Sequence, residues 1–275
     1  MIVDLIQGSH EWLEYRKSKF NASETPSILG IGFNKPYQIA LIKKGKFKPF
    51  ISEAMRQGNQ YEPMIREQIN QKYNLELEPV VMVSDDDDRF LASLDGADLD
   101  KKVFCEIKFS KNEFEYVKAN DKPSDKYYYQ IQHQFYVSNL DLCVYAVGYI
   151  NDDFDLEIYT ITIERDDKAI DKIKKAWNDF EQDYLNIEIS SEWADIASQI
   201  SALNDEKKAI ENQLDELKKQ AINKADGKEF SAFGITIYKT TRKTADYKAF
   251  LSDNNLEIPD KYYKESCSWS VRVAN

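Results

Sequence analysis

Three residues between positions 92 and 108 have the types and spacing of a hydrolytic metal site. The stretch ASLDGADLDKKVFCEIK holds Asp95 after a short apolar run, and it closes on Glu106 and Lys108. Strand alternation within VFCEIKF predicts two faces, one with Val103, Cys105, Ile107 and Phe109 and the other with Phe104, Glu106 and Lys108. The acid and the lysine therefore project together, about 7 Å apart along the strand.

The expected chemistry is phosphodiester or similar hydrolysis at Mg²⁺. Asp95 ends the preceding predicted strand, and the ten residues that follow it are expected to form a hairpin-like turn that brings it beside Glu106. Two crowded carboxylates repel unless a cation lies between them, and Mg²⁺ takes oxygen ligands, among which the Ile107 carbonyl is a natural third. Lys108 would orient or deprotonate the attacking water. A Glu-x-Lys pair on an edge strand that forms only a salt bridge remains the alternative.

Composition limits the classes of function. The chain has 275 residues and a net charge of -11, which argues against a nonspecific polybasic nucleic-acid binder. Residues 31–50 nevertheless carry five lysines, no acid and interleaved aromatics. This segment either follows a phosphate backbone or is an ordinary solvated helix face, and the residues alone leave both readings open.

The cysteines and histidines exclude a soft-metal site. Cys105, Cys143 and Cys267 form no CxxC pair, and with only two histidines they make no convincing zinc or iron-sulfur site, so any metal is expected to be held by oxygen. Two of the cysteines lie in apolar strand-like runs, which predicts buried, reduced thiols. The longest apolar run is too short to span a bilayer, which predicts no membrane partner and a cytoplasmic protein.

The order of predicted elements indicates an α/β (α+β) core. Helices are expected to open the chain, including a long one from residue 52 to 74 that is interrupted near Gly58 and Pro63. Strand-like pieces follow from Leu77, then the helical period of KYYYQIQHQFYV, a strand pair and an amphipathic helix from about residue 167 to 184. We expect a mixed central sheet flanked by helices over residues 1–189.

A second module is predicted over residues 190–275. Apolar residues recur at heptad spacing from 200 to 221, interrupted by a lysine: Ile200, Leu203, Lys207, Ile210, Leu214, Leu217 and Ala221. This spacing is typical of a coiled coil or helical arm. FSAFGITIYKTT and SCSWSVRV then resemble strands around a short helix, which together predict a small α+β cap.

Five ordered blocks of the chain resemble one known family. QGSHEWLEYRKSKFNASETPSILG, QGNQYEP, SLDG, CEIK and YYYQIQHQFYV occur in the order of the lambda-exonuclease and YqaJ-like viral recombinase family of restriction-endonuclease-like nucleases. The resemblance covers roughly residues 5–185 and implies that fold for them. Where relatives often carry Lys-Cys-Pro, this chain has Lys108, Phe109 and Ser110, and the arm beyond residue 190 lies outside the resemblance.

The resemblance implies a role for residues at five places in the sequence. Asp95 and Glu106 match the Mg²⁺ ligands, with Mn²⁺ an expected substitute, and Lys108 matches the catalytic lysine. Glu62 matches a helix-borne glutamate at the metal centre. The remaining matches are Tyr127 and Gln130 beside the active site, and Arg16 and Ser23 at the terminal 5′-phosphate. Gln132 is expected on a different helix face from these residues, a lone histidine such as His133 is more often structural, and Trp12 is expected in the core.

The implied function is a Mg²⁺-dependent 5′-to-3′ exonuclease on duplex DNA ends that leaves 3′ overhangs for phage-type recombination by single-strand annealing. Relatives form trimeric rings, which implies a homo-oligomer, and the arm is a candidate to build it or to dock a single-strand annealing protein. Two alternatives stay open: a catalytically idle DNA-end-binding recombination scaffold and a structure-specific endonuclease.

Overall fold

The computed structural model describes residues 1–47, 53–186, 191–245 and 263–273, which form two compact units, Met1–Asn204 and Asp205–Asn275. The predicted module boundary at residues 189 and 190 lies outside the described residues and stays a prediction. Lys48 of the lysine-rich segment and the short helix expected between the two C-terminal strands also lie outside them.

A seven-stranded mixed sheet forms the centre of the first unit. Its strands are β1 (Ile2–Val3), β2 (Phe20–Asn21), β3 (Glu78–Val83), β4 (Phe90–Asp98), β5 (Val103–Phe109), β6 (Leu142–Ile150) and β7 (Leu156–Ile163). The order is β1-β3-β4-β5-β6-β7, with β2 paired to β4. β5 and β6 run parallel, as do β2 and β4, while the other pairs are antiparallel. The predicted mixed sheet is confirmed, although the chain opens on a strand and not on helices.

Helices flank this sheet, as predicted. They are α1 (His10–Lys17), a 3₁₀ turn (Ala22–Glu24), α2 (Thr25–Ile28), α3 (Pro36–Lys43), α4 (Glu53–Tyr73), α5 (Lys111–Asn120), α6 (Asp125–Ser138) and α7 (Asp167–Phe180), with a π-helical turn after it (Glu181–Leu185). α5 and α6 make the crossover that the parallel pair β5–β6 requires. Among the described residues no helix is long and apolar enough to cross a membrane.

α4 corrects one prediction, because it runs unbroken through Gly58 and Pro63. An internal proline costs a helix about 3 kcal/mol, and a glycine about 1 kcal/mol. The helix persists because its inner face buries Ile65 and Ile69, which are 0% and 1% exposed, against the sheet. Burying two isoleucine side chains contributes roughly 1.5–3 kcal/mol each, which offsets that cost.

The two faces of β5 carry different environments, as its alternation predicts. Cys105 and Ile107 pack with Ile65 and Ile69 of α4 in one apolar cluster. Phe104 belongs to the larger cluster on the opposite side, which includes Ile131 and Phe135 of α6. The sheet is therefore a middle layer with α4 on one face and α6 on the other. Cys105 and Cys143 are buried free thiols, as predicted.

A helical arm and a small second sheet complete the described chain. α8 (Ser191–Lys224) is 34 residues long and leaves Leu203, Ile210 and Leu217 66%, 55% and 61% exposed. β8 (Phe230–Ala232), β9 (Ile235–Ala245) and β10 (Tyr263–Val273) form an antiparallel sheet in the order β10-β9-β8. The predicted arm and strands are present, whereas pairing of the arm in a coiled coil stays a prediction.

Candidate active site

The β4–β5 hairpin brings Asp95 and Glu106 together. Gly96 pairs with Cys105 and Ala97 with Phe104, and continuing this antiparallel register places Asp95 opposite Glu106. The expectation that Asp95 ends its strand is wrong, because β4 continues to Asp98 and the turn comprises only the residues between Asp98 and Val103. The two acids therefore meet by strand pairing, which fixes their separation more rigidly than a ten-residue loop would.

Asp95 is held by the backbone of β5. Its Oδ2 accepts a hydrogen bond from the Ile107 amide at 2.8 Å. The residue that fixes Asp95 is therefore also the one whose carbonyl is the predicted third metal ligand. Burial, together with the nearby Glu106 and Glu62 carboxylates, raises the pKa of Asp95 well above its ordinary value, while Lys108 and the amide oppose this. Negative charge is thus crowded at this point of the sheet.

Glu106 is fully buried, at 0% exposure, and its two oxygens are held separately. Gln130 Nε2 donates to Oε1 at 2.7 Å, and Gln134 Nε2 donates to Oε2. The two glutamines are four residues apart and so share one face of α6. The sequence did not predict a role for Gln134. Its i, i+4 relation to Gln130 could have done so, because it places both glutamines on one helix face.

Lys108 completes the constellation as the ion-pair partner of Glu106 Oε1. Burial by itself lowers the pKa of Lys108, but the Glu106 and Asp95 carboxylates outweigh it, and the pKa lies above the ordinary value. The Lys108 Nζ also lies 5.2 Å from the centroid of the Tyr127 ring. Tyr127 and Gln130 of α6 therefore both face this lysine and its partner, in agreement with the i, i+3 argument.

Glu62 of α4 reaches the centre from the other side of the hairpin. Burial raises the pKa of Glu62, Arg66 opposes this, and Glu106 raises it further. Arg66, also missed in the sequence, donates to Glu62 Oε1 at 3.0 Å and to the Asp95 carbonyl. A Cβ on Gly96 would lie 3.0 Å from Arg66 Cδ and 2.9 Å from Leu77 Cβ, so only glycine allows the arginine this close to the strand.

The donors at the centre fit a hard cation. Asp95, Glu106 and the Ile107 carbonyl are oxygen ligands with surplus negative charge, the chemistry that Mg²⁺ selects. Across the part of the chain that the structure describes, however, no three histidine, cysteine, aspartate or glutamate side chains surround a common metal position. Glu62 pairs with Arg66, and Glu106 is occupied by Lys108 and the glutamines, so the metal roles of these residues stay predictions.

Arg16 and Ser23, the predicted phosphate ligands, lie side by side. Arg16 Nη2 donates to Ser23 Oγ at 2.8 Å, and the guanidinium lies 4.2 Å above the Trp12 ring. Trp12 is partly buried against an apolar cluster, as expected, and donates from Nε1 to Ser93 Oγ at 2.9 Å. Lys43 of the lysine-rich segment points inward to Glu24 at 2.8 Å, so this lysine does not belong to a solvated phosphate track.

Gln132 and His133 make hydrogen bonds within the fold and do not contact the Glu106 cluster through them. Gln132 accepts from the Asp166 amide at 2.7 Å and donates to the Glu164 carbonyl at 2.8 Å. His133 Nδ1 lies 2.6 Å from Thr25 Oγ1, which also accepts from the Trp177 indole. A hydroxyl oxygen has two lone pairs, so Thr25 can accept from the indole and bond to either neutral tautomer of His133. Burial lowers the pKa of His133, which favours the neutral imidazole.

Comparison with protein families gives a match over residues 11–141 to the YqaJ-like viral recombinase domain. This segment contains Asp95, Glu106, Lys108 and the α6 glutamines and spans just under half of the chain. The family resemblance predicted from the sequence is confirmed for it. The comparison with curated protein sequences found no match.

Comparison with solved structures supports the fold. The chain is similar to an alkaline exonuclease, LHK-Exo, from Laribacter hongkongensis, with 21% sequence identity and a TM-score of 0.54 over 70% of this chain and 98% of that chain. The complex of LHK-Exo with dAMP gives 20% identity and a TM-score of 0.53 over the same shares. A phage-related exonuclease from Haemophilus somnus is 17% identical over 60% of this chain and 93% of that one, with a TM-score of 0.47.

Proposed function

We propose that this chain is a Mg²⁺-dependent exonuclease that degrades one strand of duplex DNA from the 5′ end, since residues 11–141 match the YqaJ-like viral recombinase domain. The product would be a 3′ single-stranded overhang. The observation that carries the proposal is the buried Glu106, which is held at both oxygens by amides and paired with Lys108 beside Asp95. Such a preorganised charge cluster favours catalysis over a purely structural role.

Arg16 and Ser23 bind the terminal 5′-phosphate in this proposal. A guanidinium offers a planar pair of donors that match phosphate oxygens, and it stays charged at any physiological pH. Its stacking on Trp12 and its hydrogen bond to Ser23 fix its direction before DNA arrives. The bound phosphate would set which phosphodiester reaches Lys108.

Hydrolysis adds water to the phosphorus between the first and second nucleotides. The bond from phosphorus to the 3′-oxygen of the first nucleotide breaks, this oxygen takes up a proton, and the remaining strand keeps a 5′-phosphate. Every cycle thereby regenerates the group that Arg16 and Ser23 bind. Lys108 would stabilise charge on the phosphate and orient or deprotonate the attacking water. The Glu106 and Asp95 carboxylates raise the pKa of Lys108, which favours its charged form in the ion pair.

The metal would be held by Asp95, Glu106 and the Ile107 carbonyl, with Glu62 nearby, and Mn²⁺ should substitute for Mg²⁺. When bound, a divalent cation would neutralise negative charge on the phosphate. Gln130 and Gln134 keep the Glu106 carboxylate in one orientation, which is the usual task of groups behind a metal ligand.

Assembly and partners follow from the recombination role. We propose a homo-oligomer, with a trimeric ring as the leading form, and a single-strand annealing protein that receives the overhang. A ring holds DNA by enclosure, which is compatible with a net charge of -11. Light scattering on a chain that ends near residue 190 tests whether α8 contributes to assembly.

One assay tests the activity. The protein is incubated with Mg²⁺ and either a linear duplex with 5′-phosphates or a closed circle. Release of mononucleotides from the linear duplex alone is expected. Nicking of the circle would instead identify an endonuclease, and binding without any hydrolysis would identify a recombination scaffold; both results would contradict the proposal.

A further inference from the structure

An exposed ridge runs from the loop between α2 and α3 into the first turn of α3. Ile31, Phe33 and Tyr37 are 42%, 81% and 47% exposed, and Lys35 between them is exposed as well. Large apolar side chains this exposed usually find a partner when they are grouped. The ridge, defined as Ile31, Phe33, Lys35 and Tyr37, thus offers two aromatic faces and one cation to an external molecule.

The loop that carries Phe33 is fixed on both sides of it. The Ile31 amide donates to the Pro26 carbonyl at 2.9 Å, and the Asn34 amide donates to Ser27 Oγ at 3.3 Å. Between them Gly32 packs so closely that a Cβ there would lie 2.7 Å from the Cα of Ser27. The backbone that carries the exposed ring is therefore fixed, which reduces the entropy that binding must overcome.

Lys126 connects Phe33 to the candidate active site. Its Nζ lies 4.7 Å from the centroid of the Phe33 ring and 4.5 Å from that of Tyr127. Tyr127 in turn lies 5.2 Å from the Nζ of Lys108. Two cations and two aromatic rings thus alternate from the loop to the ion pair at Glu106, so a continuous series of cation–ring contacts links Phe33 to the candidate active site.

We propose that Phe33 is a stacking platform for an unpaired nucleobase at the DNA end, with Lys126 contacting the adjoining phosphate; this rests on the exonuclease function proposed above. An aromatic ring stacks on any base without sequence preference, and flanking cations follow the backbone. The face of a base is available only at a duplex end or in a frayed strand. Phe33 would therefore favour opening of the terminal pairs and feed the freed strand toward Lys108.

The test uses the full chain and a linear duplex with a 5′-phosphate and 2-aminopurine near the same 5′ end, with a chelator present so that only binding is measured. Stacking on Phe33 should quench the probe in the wild type and in Phe33→Tyr, and the quench should be lost in Phe33→Ala. Phe154→Ala is the matched control, since Phe154 is 88% exposed and, within the part of the chain that the structure describes, no lysine or arginine lies over its ring.

Kinetics with Mg²⁺ give the second readout. Phe33→Ala should raise KM for duplex ends by about five- to tenfold, because the stacking energy of one base is lost. The kcat should change little, and Phe33→Tyr should keep the wild-type KM. The proposal that Phe33 stacks on a base would be overturned if Phe33→Ala behaved as wild type in both assays. It would also be overturned if Phe33→Ala changed the oligomeric state while the quench stayed the same. If the wild type quenches the probe but hydrolyses nothing, the exonuclease proposal fails while the stacking site stands.

Discussion

Gln134 of α6 and Glu106 of β5 are both fully buried, at 0% exposure, and are joined by a hydrogen bond from the amide to one carboxylate oxygen. Gln134→Leu should lower hydrolysis by about 10- to 100-fold, because a group behind a metal ligand typically controls affinity or activity by that factor. DNA binding should be retained. Steady-state kinetics at varied Mg²⁺ measure the effect.

The neighbouring Gln132 supplies the control for this variant. Gln132→Leu breaks hydrogen bonds to the backbone at residues 164 and 166 and should lower thermal stability without a matching loss of kcat in the folded fraction. If Gln134→Leu retains full activity, the amide does not position Glu106.

Lys108 is the second target. Lys108→Met should reduce kcat by at least about 100-fold, the lower range for a positioned proton-bearing group. Filter binding to a 5′-phosphorylated duplex should be nearly unchanged. Lys175→Met, which removes an exposed lysine paired with Asp179 at 2.6 Å, is the control and should behave as wild type. Undiminished cleavage by Lys108→Met would remove this residue from the mechanism.

Arg16 should control recognition of the 5′ end. Arg16→Gln removes a charged hydrogen-bond donor and should raise KM for a 5′-phosphorylated duplex by about tenfold or more. The same duplex with a 5′-hydroxyl is the internal control, since it lacks the group that Arg16 contacts. An equal loss on both substrates would indicate a structural role for Arg16.

His133 makes the stability of the fold depend on pH. Burial, aided by the Lys43 charge, lowers the pKa of His133 from 6.5 to about 3. Between these values the unfolded chain binds a proton that the native chain does not, so the free energy of unfolding rises with pH across this window and is lost as the pH falls. The slope from this residue is about 1.4 kcal/mol per pH unit.

Urea unfolding at pH 4.5 and pH 6.5 measures that slope. His133→Gln should flatten it, while His10→Gln, at an exposed position, should leave it as in the wild type. An identical slope in His133→Gln would show that His133 does not titrate in this way.

Two glycines give opposite expectations for the same substitution. Gly96→Ala places a Cβ 2.9 Å from Leu77 Cβ and 3.0 Å from Cys105 Sγ. It should destabilise the fold by about 1–3 kcal/mol through overpacking and displace Arg66 from the Asp95 strand. Gly58→Ala meets nothing within 4 Å inside α4 and should stabilise it by roughly 0.5–1 kcal/mol. Thermal unfolding of both variants is the measurement, and equal effects would contradict the packing argument.

The sequence predicted what depends on local periodicity. Alternation in VFCEIKF placed Glu106 and Lys108 on one face and Cys105 and Ile107 on the other, because successive side chains of a strand point to opposite faces of the sheet. The i, i+3 relation of Tyr127 and Gln130 predicted a shared helix face, because residues three or four apart are neighbours on a helix surface.

Features set by tertiary packing were not predictable in this way. Gly96 indicates a turn when read locally, yet it lies inside β4, where Arg66 leaves no room for a side chain. Pro63 indicates a helix break, yet burial of Ile65 and Ile69 carries α4 through it. Lys43 belongs to a lysine-rich segment that the sequence assigns to a phosphate track or to a solvated helix face, and only the fold reveals its inward pairing with Glu24. In each case a distant contact outweighs the local preference.

The two-faced character of β5 also bears on quality control in the cell. A slip of one residue in its pairing would turn Glu106 and Lys108 toward Ile65 and Ile69 of α4 and Ile107 toward the glutamines of α6. Such a chain would lose its charge cluster and its apolar packing in the same event, so it would be exposed to proteolysis. Molecules that escape proteolysis should therefore be active. A titration of active sites should then give the same number as a measurement of folded protein.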